Sequence, residues 1–141
     1  MGYHSRTRIY IGGDSEDVQQ VVDHIESMTK VLNLPFDSNI EDRVNLHWSD
    51  LASWPRCEAN YGSSKKVVKI DSPSWFKAYE EWDRVVERLS SVCTKFGVNF
   101  SYAKMGEYED DFTTLSNLDD SDYTIYIARS FDTPSAYVGL L

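Results

Sequence analysis

The sequence predicts an α+β fold: a mainly antiparallel sheet with two helices packed on one face, a ferredoxin-like plait in the order β-α-β-β-α-β-β. Three observations lead there. Two long segments carry apolar residues at three- and four-residue spacing, short β-branched or alternating segments surround them, and no repeat or linker divides the chain. The 141 residues, 41% hydrophobic and 13% aromatic, suffice for one core, so residues 1–141 read as a single domain.

Thr7 to Ile11 is short and β-branched and reads as a strand closed by a Gly12-Gly13 turn. A helix follows, with Asp14 or Ser15 as its N-cap and Glu16 and Asp17 in a first turn that favours negative charge. Val18, Val21, Val22, Ile25, Met28 and Leu32 mark its apolar face, opposite Gln19, Gln20, Asp23, Glu26 and Lys30. From Arg43 to Trp48, Val44, Leu46 and Trp48 alternate with Arg43, Asn45 and His47, the pattern of a half-buried strand. Ser49 to Ser64, with Pro55, Gly62 and Ser63-Ser64, reads as a loop anchored by Trp54 and Tyr61, and Lys65 to Ile70 as another strand.

Ser72-Pro73 is a good helix start, and Trp75, Tyr79, Trp82, Val86, Leu89, Cys93 and Phe96 keep the helical rhythm until Gly97. Val98 to Ala103 and Tyr123 to Arg129 read as the last two strands. The apolar tail, Phe131 to Leu141, is suited to docking on its own core or on a second copy as a homodimer.

Several function classes are unsupported. No apolar run approaches the roughly 18 residues of a membrane helix, and no secretory signal stands at the start. Arg6 occupies the position where a myristoylation motif needs Ser or Thr, and the sequon Asn99-Phe100-Ser101 falls in a predicted strand. Cys57 and Cys93 match no metal or redox spacing, and Cys93 sits on an apolar helical stripe as a small hydrophobe. The Gly12-Gly13-Asp14 turn lacks a phosphate-binding fingerprint and faces its own carboxylates. His47 beside Asp50 forms a conceivable imidazole–carboxylate pair, but no nucleophile motif accompanies it, and a surface histidine is the preferred reading. No catalytic set, metal set or cofactor is implied.

Charge gives the strongest signal. Glu107, Glu109, Asp110, Asp111, Asp119, Asp120 and Asp122 fall in one segment without a basic residue, in a chain of net charge −9. Three readings compete: a calcium loop, for which Asp119-Asp120-Ser121-Asp122 lacks the glycine and the later Glu; a plain solvated loop; and a recognition surface for a basic partner. Tyr108, Phe112, Leu115 and Leu118 interleave with the carboxylates and offer apolar anchors for that surface, or pin the loop to the core.

A second pattern lies on the sheet. If Ile9 and Ile11 face the helices, Arg6, Arg8 and Tyr10 face outward, and alternation turns Arg43, His47, Lys65, Lys69 and Tyr126 the same way. Such an open basic and aromatic face suits a nucleotide or single-stranded nucleic acid, although the net charge opposes a polyanion.

Three segments stand out together: Met1-Gly2-Tyr3-His4-Ser5-Arg6, then Trp75-Phe76-Lys77-Ala78-Tyr79, then Gly106 to Asp111 followed by Tyr126-Ile127-Ala128-Arg129-Ser130. In that order they resemble a loose group of small tailed-phage proteins that open Met-Gly-Tyr-x-Ser. The long Ser49 to Ser64 stretch and the apolar tail depart from that group. The resemblance implies a phage or prophage accessory protein in a bacterial cytoplasm and supplies no catalytic residues. The resulting expectation is a non-enzymatic protein that binds a bacterial host or defence protein. Its contact would run from Glu107 through Phe112 and over Asp119, Asp120 and Asp122, inhibiting a nuclease in the manner of an anti-CRISPR or anti-restriction protein. The alternative is the sheet-face ligand module using Arg6, Arg8, Tyr10 and Lys69.

Overall fold

The chain runs β1 (Arg6–Asp14), α1 (Ser15–Met28), α2 (Ile40–Ser53), β2 (Arg56–Tyr61), β3 (Lys65–Asp71), α3 (Glu80–Lys95), β4 (Asn99–Met105) and β5 (Phe112–Ser116). Short 3₁₀ turns follow at Ser121–Tyr123 and Ser135–Tyr137. The computed structural model describes residues 4–29, 40–73, 76–78, 80–107, 111–125 and 131–141, with only the backbone of 40–43, 45, 46 and 80. Among the described residues the fold is α+β, with three α-helices and one five-stranded sheet. The strand order is β2-β3-β1-β4-β5, and every neighbouring pair is antiparallel.

β1 lies at the centre and sorts its side chains by alternation. Ile9 pairs across with Ile70 and Tyr102, and Ile11 with Val68 and Phe100, so this set shares one face. Val18, Val21, Val22 and Ile25 of α1 and Val85, Val86, Leu89 and Cys93 of α3 bury it as a single cluster. The helical spacing read in the sequence is therefore the spacing that is buried. Gly97, at φ +72°, ends α3 as expected, and the Val98 amide reaches back to the Cys93 carbonyl at 2.9 Å.

Several expectations are corrected. Arg43 to Trp48 is no strand but part of α2, whose buried residues Val44, Trp48 and Leu51 stand four and three apart. A six-residue window satisfies both periods, and only the extension to Leu51 separates them. The predicted loop from Ser49 to Ser64 holds the end of α2 and then β2, joined to β3 by a turn at Gly62, φ +66°. Ser72-Pro73 does not open α3. The Ser72 hydroxyl instead accepts the Thr7 amide at 2.8 Å and prolongs the β1–β3 ladder, while Ser5 bridges Phe76 and the helix begins at Glu80. Finally, a strand, β5, lies inside the acidic segment, and Ser121–Tyr123 is a 3₁₀ turn where the last strand was expected to start. Of that expected strand, residues 126–129 lie outside the described residues, as do Leu32, Trp75 and Tyr79 of the helix stripes.

Gly12 and Gly13 form no turn; β1 continues through both to Asp14. Gly12 has a packing reason, because an added Cβ would overlap the Tyr137 hydroxyl. The tail thus docks on its own sheet. Tyr10, Val67 and Ala103 from the strands form a second buried cluster with Ile125, Phe131 and Tyr137.

Candidate functional site

The acidic segment is divided by β5. At one end Glu107 is exposed, accepts the His4 amide at 2.8 Å and sits 3.6 Å from His4 Nδ1. Asp111 is half-buried, and its carbonyl accepts the Gly106 amide at 2.7 Å to close the β4–β5 hairpin. Tyr108, Glu109 and Asp110 lie outside the described residues. At the other end stand Asp119, Asp120 and Asp122, all exposed. Asp120 Oδ1 accepts the Asp122 amide at 3.0 Å, and Asp122 Oδ1 accepts the Ser135 hydroxyl at 3.0 Å. Two of these carboxylates therefore fix the 3₁₀ turn and tie it to the tail. Among the described residues no group of three His, Cys, Asp or Glu side chains is gathered to hold a metal ion.

Between the two ends runs Phe112-Thr113-Thr114-Leu115-Ser116, about 16 Å long at ~3.3 Å per residue. It pairs only with β4 among the described residues and forms one edge of the sheet. Phe112 is 55% exposed and Leu115 38%. Phe112 stands beside Met105 on the tail face, and Leu115 beside Tyr102 on the helix face. Neither pins the segment to the core. Asn117 does that work: its side chain takes the Phe100 amide at 2.8 Å and gives to the Val98 carbonyl at 2.9 Å, extending the β4–β5 ladder past its last residue. Leu118, also 38% exposed, follows it.

The basic and aromatic sheet face is not open, which corrects the premise of the ligand-module alternative. Tyr10 does point away from the helices, but it is 1% exposed beneath Tyr137, whose ring stacks on it at 5.6 Å and 21°. Arg8 lies under Phe131, with its guanidinium 5.5 Å from the ring centroid and its Nε donating to Asp71 at 2.6 Å. Burial works against that charge, but Asp71, together with Tyr10, more than offsets it, so the Arg8 pKa is raised. Lys69 pairs across from Tyr10 and is half-buried, leaving Arg6 as the exposed member of the four. Arg43 and His47 belong to α2 rather than to the sheet, and the side chain of Arg43 and all of Tyr126 lie outside the described residues.

A feature that the sequence reading missed is a cavity of about 550 Å³ at the end of α2, walled by Trp54 and Phe76 and reached by His47, Asp50, Ser53 and Lys77. His47 is not the surface residue expected. Its side chain is 12% exposed, with the ring edge-on to Phe76 and Trp82 at 5.9 Å. Nδ1 stands 3.4 Å from Asp50 Oδ2 without the alignment of a hydrogen bond. The Ser53 hydroxyl donates to the Asp50 carbonyl at 2.7 Å, which satisfies the last turn of the helix, and among the described residues no hydrogen bond reaches His47 Nδ1. Trp54 and Trp82 stand out in the sequence as a loop anchor and a helix-stripe residue, but their convergence with Phe76 depends on α2 being helical.

Compared with protein-family models, with curated proteins and with solved structures, the chain matches none.

Proposed function

We propose that this protein is a binding module rather than an enzyme, and that it works through the β5 side of its sheet on a protein partner with a basic surface. The observation that carries this reading is the placement of carboxylates at both ends of an exposed edge bearing Phe112 and Leu115. Apolar contact area within a charged rim is the anatomy of a specific protein interface, and matched potentials speed the encounter. A basic nucleic-acid cleft has the complementary charge, so inhibition of a bacterial nuclease is the activity that follows. A phage accessory protein in a bacterial cytoplasm is the setting that the sequence resemblance supplies.

Within the same reading, β1 to β4 form a ferredoxin-like plait to which β5 adds the working edge. The order β2-β3-β1-β4, with helices between β1 and β2 and between β3 and β4, supports it.

The test compares the wild-type protein with an Asp111→Lys/Asp119→Lys variant, one reversal at each end of β5. Both are offered to bacterial lysate at low and high salt, after circular dichroism has shown equal folding. The expected result is a protein with a basic surface that is captured at low salt, released at high salt and lost by the variant. Capture that the variant retains, or capture of nucleic acid alone, overturns the reading.

A further inference from the structure

The two edges of the sheet are built differently. β2 carries Arg56 and Glu58, each in an ion pair at 3.1 Å, with Glu26 and with Lys66. Charged side chains of this kind blunt an edge against strand addition. β5 carries no charge and no proline, and Phe112, Thr113, Thr114 and Leu115 are all exposed. An edge strand presents backbone N–H and C=O groups at alternate residues, and no described residue pairs with that outer side.

We infer that the β5 edge receives an extended segment of the partner as a sixth strand, with Lys or Arg flanking a stretch of alternating apolar and polar residues. This rests on the proposed function and names how the partner is held. Main-chain hydrogen bonds to β5 supply affinity, while the side chains on either side of the added strand meet Phe112 on one face and Leu115 on the other. Charge chooses the occupant. Glu107 and Asp111 stand before the strand, and Asp119, Asp120 and Asp122 after it. A second copy pairing through its own β5 would set acidic end against acidic end in either direction, parallel or antiparallel. A segment with basic flanks meets both ends favourably.

The probe is a fluorescent peptide of alternating Thr and Val with Lys pairs at both ends, beside one with Glu in place of Lys and one with Lys ends and a central Pro. Binding to the full chain is read by anisotropy at low salt, and protection of β5 by amide hydrogen exchange. The expected result is that the Lys-flanked peptide binds and slows exchange in β5, the Glu-flanked one does not, and the Pro-centred one binds at least about tenfold more weakly. Equal binding of the Pro-centred peptide overturns strand addition while leaving the acidic-surface reading in place. Failure of both Lys-flanked peptides overturns the two together. Protection of β5 that grows with protein concentration in the absence of peptide assigns the edge to a second copy and overturns the inference.

Discussion

On one side of β1, Ile9 and Ile11 share a buried cluster with the stripes of three helices; on the other, Tyr10 shares one with Ile125, Phe131 and Tyr137. Both sides exclude water, but by different means. The helical side is built from many side chains repeated at a fixed spacing, with the wholly buried Trp82 as one of its largest single members. The tail side depends on a few aromatic rings carried by irregular chain, with Tyr61 and Tyr123 leaning on Tyr137 at 6.2 and 5.8 Å. Regular structure spreads burial over many residues, whereas irregular structure concentrates it.

If that contrast is sound, the two sides should fail separately. The largest effect is expected from Trp82→Ala. Trp82 is wholly buried, lies 5.0 Å from Phe76 and 5.1 Å from Trp54, and donates to the Tyr102 hydroxyl at 3.0 Å. Denaturant unfolding should show a loss of about 3–5 kcal/mol, as for other large aromatic truncations in cores. A loss below about 1 kcal/mol would mean that this cluster is not the main core.

Gly12→Ala comes next, at about 1–3 kcal/mol, because the new methyl group must displace Tyr137. Hydrogen exchange should rise in β1 and the tail while α1 and α3 keep their protection. A uniform rise over both faces would show that they open as one unit.

The smallest effect at neutral pH separates the faces by titration. Burial pushes the Cys93 thiol from 9.0 up to about 12. The unfolded chain therefore releases this proton first, and stability holds below pH 9 and falls as pH rises toward 12. Cys93→Ala should flatten that part of the profile. Burial also raises the Tyr102 and Tyr137 phenols above their usual 10.0, so a slope at higher pH should persist, and Tyr137→Phe should reduce it from the tail side. An unchanged slope in the Cys93 variant would exclude the thiol as its source.

The helical side was largely legible in the sequence. Val18 to Ile25 and Trp82 to Cys93 run long enough for the 3.6-residue period to stand alone. α2 was hidden because Val44, Leu46 and Trp48 alternate over too short a stretch. For the tail, docking on its own core was legible only as one of two alternatives, because Ile125, Phe131 and Tyr137 share no period; what joins them is a sheet face assembled from distant strands. At the candidate site, composition disclosed the carboxylates but not their separation. β5 is a run of Thr and Leu between turn residues, and its strand identity comes from pairing with β4.

The central position of β1 has a kinetic consequence. Its neighbours β3 and β4 are both made much later, and its Arg8 meets Phe131 across 123 residues of chain. Helices can form locally, but each strand beside β1 requires a long loop to close before its contacts repay the lost entropy. Folding should therefore wait on the insertion of β1 between β3 and β4, with the aromatic tail settling afterwards as the last seal on a sheet already formed.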